Sequence, residues 1–143
     1  MKNLLTVLAF SVCSIAYCQN SEKGVTTTIN NYIADFIADD TVKIAAAMHP
    51  NFSAWNGGSN SGASNKETYM GSDYWKNVDV LELKIYNMST TIIGNTAIAY
   101  YDYVQVDKNI ESGIASARTG KVAQTLIYEN DSWLIISEFF TID

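Results

Sequence analysis

Two tight turns, Gly94-Asn95 and Asn130-Asp131, each separate long apolar stretches, and helical periodicity precedes both. Dipeptides of this kind close two-residue hairpins, because their backbones reach the positive φ that such turns need. A chain that runs helices first and long antiparallel hairpins afterwards is confined to a few α+β architectures, with the helices on one face of the sheet.

The turns also set registers. A two-residue loop at Gly94-Asn95 puts Ile93 opposite Thr96, Asn87 opposite Asp102 and Ile85 opposite Val104. Along 97–106 one face carries Ala97, Ala99, Tyr101, Tyr103 and Gln105; the other carries Ile98, Tyr100, Asp102, Val104 and Val106. A loop at Asn130-Asp131 pairs Tyr128 with Trp133, Leu126 with Ile135, Gln124 with Ser137 and Val122 with Phe139. That register groups Glu138 with Ala123, Thr125 and Ile127 on the other face. Both faces of these strands are largely apolar. One helical layer covers only one of them, so a homodimer through the remaining face is expected.

Before the strands, Val25, Ile29, Tyr32, Ile33, Phe36 and Ile37 fall at helical spacings, predicting a helix over 24–38. Asp39 and Asp40 offer an N-cap to a second helix over 41–48, which Pro50 stops, and 52–55 is extended. Ser64 to Glu67 reads as a capping box opening a third helix to about Asn77. The Gly-Ser-rich stretch 56–62 lacks the Gly-Lys-Ser/Thr ending of a phosphate loop.

Residues 1–18 read as a cleaved signal peptide: Lys2 near the start, an apolar run from Leu4 to Ala16, then Ala16-Tyr17-Cys18. Residues 19–143 then form a single domain, exported to the periplasm or the medium. The alternative, a lipoprotein acylated at Cys18, is disfavoured by the bulk of Tyr17. Both cysteines, Cys13 and Cys18, fall in this segment, so cleavage leaves neither disulfide nor thiolate. No later apolar run is long enough for a membrane span. The net charge is −6 with a single arginine, Arg118, and the basic stripe a nucleic-acid partner requires is missing. His49 is the only histidine. Neither a metal cluster nor a cofactor motif is legible, so the expectation is no cofactor and no metal.

Several stretches together resemble the NTF2-like superfamily, in particular its SnoaL-like and DUF4440-type secreted branch. They are Ala38-Asp39-Asp40 with Ala45 through Phe52, Gly94-Asn95-Thr96-Ala97-Ile98-Ala99, and Lys121–Thr125 with Glu129 through Ile136. The resemblance implies a cone of three helices packed into a strongly curved, mainly antiparallel sheet, commonly dimeric, with an interior pocket that different members use for catalysis or for plain binding. It also implies that Tyr32 stands on the helix from which a steroid-isomerising relative presents a tyrosine. The chain departs from the family where many members carry a histidine and then a serine, here Phe139 and Thr141. Tyr100-Tyr101-Asp102 keeps the carboxylate of an Arg-x-Asp motif and lacks its arginine.

Asp102 and His49 stand out as acid–base candidates. Asp102 lies on a mostly apolar strand face, where desolvation would raise its pKa; its plain alternative is a hydrogen bond to Asn87. Glu138 could play a similar part. His49 could titrate near neutrality, or simply hold backbone groups at the helix end. The expected pocket lining is Tyr32, Phe36, Trp55, Trp75, Tyr101, Tyr103 and Phe139. The leading expectation is an exported domain binding a small, mostly apolar molecule. The alternatives are a cofactor-independent lyase, isomerase or hydrolase using a carboxylate and tyrosines, and a non-catalytic structural or interaction module.

Overall fold

A computed structural model describes residues 21–57 and 62–143. Residues 1–18, where a signal peptide is expected, and the centre of the Gly-Ser loop lie outside the described residues.

Helix α1 spans Glu22–Ile37, and the Ser21 hydroxyl caps it by accepting from the Gly24 amide at 3.3 Å. Its buried residues Val25, Ile29 and Tyr32 repeat every three or four positions, the stripe a helix presents to a core. Asp39 then takes φ 53°, turning the chain sharply. Helix α2 (Thr41–Ala47) starts on the Asp40 side chain, which accepts from the Lys43 amide at 3.1 Å. Extended backbone begins at Met48, so strand β1 covers Met48–Asn56, longer than the 52–55 expected. The residue before Pro50 is thereby already in the conformation proline demands.

Strand β2 (Ser64–Asn65) leads directly into α3 (Lys66–Met70). The cap of α3 is Asn65, whose side chain accepts from the Thr68 amide at 2.8 Å, rather than a box begun by Ser64. The expected third helix is broken at Gly71 and resumes as α4 (Tyr74–Asn77). Strands β3 (Val78–Ile93), β4 (Thr96–Asn109), β5 (Ala115–Glu129) and β6 (Ser132–Phe140) complete the chain.

The sheet order is β2-β1-β6-β5-β4-β3; only the β1–β6 pair is parallel. Gly94 has φ 63°, while Asn130 and Asp131 have 50° and 62°. These are the positive values that two-residue hairpin turns impose. Val25, Ile29 and Ile44 from the helices meet Met48, Phe52, Ala97, Ala99, Leu126, Trp133 and Ile135 on the inner sheet face.

Two β-bulges change which side chains reach that face. Near the turns the expected pairs hold: Ile93 with Thr96, Tyr128 with Trp133, Leu126 with Ile135. A register shift between Tyr86 and Ser89, where Asn87 has φ 53°, then puts Ile85 opposite Tyr103 instead of Val104, and Tyr86 opposite Asp102. A second shift, between Leu126 and Thr125 on β5, pairs Ser137 with Thr125, Glu138 with Gln124 and Phe139 with Ala123. Each extra residue reverses the in–out alternation of the strand beyond it. Glu138 thus points inward and Phe139 outward, the reverse of the unbulged register.

Candidate functional site

Between α1, the α3–α4 segment and the inner faces of β3–β6 lies a cavity of about 300 Å³. Its wall is chiefly aromatic: Tyr32 and Phe36 from α1, Tyr69, Tyr74 and Trp75 from α3 and α4, Tyr101 and Tyr103 from β4. The rings brace one another edge to face. Phe36 and Trp75 have centroids 4.9 Å apart, Tyr74 and Trp75 5.4 Å, Phe52 and Tyr69 5.4 Å. The Trp75 indole N–H donates to the Tyr69 carbonyl at 2.9 Å, fixing α4 against α3 across the Gly71 break.

Two polar groups interrupt this wall. The first is Glu138, 8% exposed. Gln124 Nε2 donates to its Oε2 at 2.7 Å and the Tyr69 hydroxyl to its Oε1 at 3.4 Å. Burial pushes the Glu138 pKa above the ordinary glutamate value, with the Gln124 and Tyr69 hydrogen bonds working the other way. The Tyr32 hydroxyl is buried beside this cluster without a completed hydrogen bond. Burial, and then the Glu138 charge, raise the pKa values of Tyr32, Tyr69 and Tyr101, so all three remain phenols over the physiological range.

The second group is Arg118 with Gln105, Tyr74 and Asp107. Arg118 Nη2 lies 2.7 Å from Asp107 Oδ2 and donates to the Tyr74 hydroxyl at 3.3 Å, with the guanidinium 5.6 Å from the Tyr74 ring centre. Gln105 Nε2 donates both to the Tyr74 hydroxyl at 2.7 Å and to Asp107 Oδ1 at 2.6 Å. Burial, reinforced by the Asp107 charge, pushes the Tyr74 pKa up to about 12.

Of the expected lining, Tyr32, Phe36, Trp75, Tyr101 and Tyr103 face the cavity. Trp55 and Phe139 do not. They are partners across β1 and β6 on the outer face, 53% and 44% exposed, Phe139 carried there by the β6 bulge. Asp102 is also on the outer face of β4, since its neighbours Tyr101 and Tyr103 are the buried ones. Its carboxylate accepts from Lys121 Nζ at 2.8 Å and from Asn87 Nδ2 at 2.7 Å. Those bonds hold its pKa below the usual range, the opposite of what a general base near neutrality requires. His49 lies outside the cavity lining. Its Nδ1 accepts from the Asn51 amide at 3.0 Å, and its Nε2 is 3.4 Å from Glu129 Oε2.

The groups that do converge, Glu138 and Arg118, were not the leading candidates of the sequence. A signal existed for Glu138: Gln124 falls among core-facing residues of β5, and a buried amide requires a partner. Among the described residues, no cluster of three or more His, Cys, Asp or Glu could hold a metal ion. No helix among them is long and apolar enough to cross a membrane.

No family model matches the sequence. No curated protein matches it either. Solved structures do match. An NTF2-like protein from Cytophaga hutchinsonii superposes with a TM-score of 0.74 at 11% identity, over 86% of this chain and 99% of that one. An NTF2-like superfamily protein from Salmonella enterica has a TM-score of 0.68 at 18% identity, over 90% and 91%. A ketosteroid isomerase-like protein from Erwinia carotovora atroseptica has a TM-score of 0.67 at 12% identity, over 82% and 92%. The chain has the NTF2-like fold, and at these identities the likeness is one of fold alone.

Proposed function

We propose that this chain is an exported domain that binds a small, mostly apolar molecule in the cavity between its helices and its sheet. One observation carries the reading: braced aromatic rings leave about 300 Å³ open instead of filling it, and the space ends on a buried carboxyl. Core side chains ordinarily close such volume, because each void forfeits dispersion contacts. Export is supported by the signal-like residues 1–18. Native mass spectrometry of protein purified from its own host should show a retained apolar ligand. Protein that carries none, and takes up none from a panel of flat apolar probes, would end the reading.

A second reading is favoured by Glu138 itself. A carboxyl that holds its proton to raised pH, set among phenols on a cavity wall, suits proton transfer to or from a bound carbonyl or hydroxyl compound. In that case the protein is a cofactor-independent lyase, isomerase or hydrolase with Glu138 as its acid–base group, on the fold it shares with the ketosteroid isomerase-like neighbour. Glu138→Gln separates the two readings: it retains ligand in both and abolishes turnover only in the second.

A homodimer through the outer sheet face belongs with either reading. Tyr86, Tyr100, Trp55 and Phe139 are exposed there, and Ile98, Val104, Val106 and Ile127 are only half-buried. An interface burying more than roughly 1,200 Å² in total would cover them. Sedimentation showing a monomer at micromolar concentration would remove the dimer.

A further inference from the structure

We infer that the molecule held in this cavity is a flat, apolar carboxylic acid bound as its anion, with its carboxylate on Arg118. This deepens the binding reading above and rests on it.

Arg118 is the only arginine of the chain and the only fixed cation in the cavity wall. Every side-chain hydrogen bond it makes among the described residues uses Nη2, towards Asp107 and Tyr74. Nε is buried without a partner, and Nη1 has none either among the described residues. The guanidinium is therefore clamped from one corner and held against the Tyr74 ring, with Nε sealed from a ligand and Nη1 unspent. Both parallel donor pairs of a guanidinium run through Nη2, so what Arg118 still offers a carboxylate oxygen is a charge-assisted hydrogen bond from Nη1.

The electrostatics agree. Asp107 is not in the cavity wall, and its oxygens are already met by Arg118 Nη2 and Gln105 Nε2. Glu138, the one carboxyl that is in the wall, has its oxygens engaged by Gln124 Nε2 and the Tyr69 hydroxyl, and burial raises its pKa. The rest of the wall offers ring faces and edges to a flat body. An amine of the same shape would meet the like charge of Arg118.

The test is a calorimetric titration of the purified protein near pH 7 with three isosteres: 2-naphthoate, 2-naphthol and 2-naphthylmethylamine. Naphthoate should bind about tenfold or more tighter than naphthol, the scale of one charge-assisted hydrogen bond, and the amine should bind more weakly than naphthol. Arg118→Gln should bring the naphthoate-to-naphthol affinity ratio close to one. Because Arg118→Gln strands Asp107, the double variant Arg118→Gln/Asp107→Asn is measured beside it, with the same ratio expected. Naphthoate binding no tighter than naphthol to the unaltered protein, or a preference that survives in both variants, would overturn the inference while leaving a cavity that binds. If none of the three probes binds, the binding reading falls and takes the inference with it.

Discussion

Gln124 on β5 donates its amide hydrogen to Glu138 on β6 at 2.7 Å, the glutamine fully buried and the carboxyl nearly so. The pair exists because β6 carries one residue too many between Ile135 and Ser137 to match β5. Without that bulge Glu138 would face outward, and the cavity would end on Phe139 instead of a carboxyl. A single extra residue thus decides whether the cavity carries a carboxyl in its wall beside Arg118.

The proton on Glu138 has a consequence for stability. In the folded state its pKa lies above the ordinary value of 4.5, so between that value and the folded pKa the native protein binds more protons than the unfolded chain. Stability contributed by this group is therefore complete below 4.5 and is lost as pH rises through the folded pKa. Glu138→Gln keeps an acceptor for Gln124 and has no proton to lose. Urea unfolding at a series of pH values above 4.5 should show the stability of the unaltered protein declining relative to the variant. Parallel curves would show that Glu138 ionises like an exposed carboxyl.

The segment after β6 closes over β5. The Thr141 amide donates to the Lys121 carbonyl at 2.9 Å, Asp143 to Thr119 at 3.0 Å, and the Tyr103 hydroxyl to the Thr141 carbonyl at 3.0 Å. Gly120 permits this approach: a Cβ there would sit 1.9 Å from the Thr141 oxygen and 2.8 Å from the Tyr103 ring. Gly120→Ala should displace the segment and cost about 1–3 kcal/mol in a denaturant titration. Ile142, which lines the cavity from this segment, would move too, so probe affinity should fall with it. Unchanged stability and affinity would mean that the segment does not close the cavity.

Asp102 illustrates the opposite sign. Its bonds to Lys121 and Asn87 keep its pKa low, so the stability it contributes is present above 3.8 and is lost as pH falls through the folded value. Asp102→Asn should weaken stability only modestly, since the pair is exposed to solvent, and should flatten part of the acid-side decline. Probe affinity in the cavity should not change. A loss of binding in this variant would contradict the placement of Asp102 on the outer face.

The fold was legible in the sequence because its turns were. Gly94-Asn95 and Asn130-Asp131 adopt the conformations their residue types favour, and the pairings nearest to them come out as the turns dictate. The bulges were hidden for a physical reason. Around Ile135-Ile136 both faces of β6 are apolar, so alternation carries no phase and one extra residue leaves no trace. Asn87 did leave one, since asparagine tolerates the left-handed conformation better than most residues, but it read equally well as a partner for Asp102. The site suffered more than the fold. Tyr32, Phe36, Trp75, Tyr101 and Tyr103 line the cavity, yet its two polar groups depend on contacts between β4, β5, β6 and α4 that no local pattern announces.

A ligand-accessible cavity that presents Glu138 as a proton-holding carboxyl is the property on which the functional reading stands, and titrating that carboxyl probes it at the source. With glutamate side chains labelled at the carboxyl carbon, and Glu138→Gln assigning the resonance, NMR follows its ionisation from acid to alkaline pH with and without 2-naphthol. A Glu138 midpoint above 4.5 is expected, together with a shifted resonance when the probe is bound. A Glu138 signal that titrates with the exposed carboxylates and does not respond to the probe would refute it.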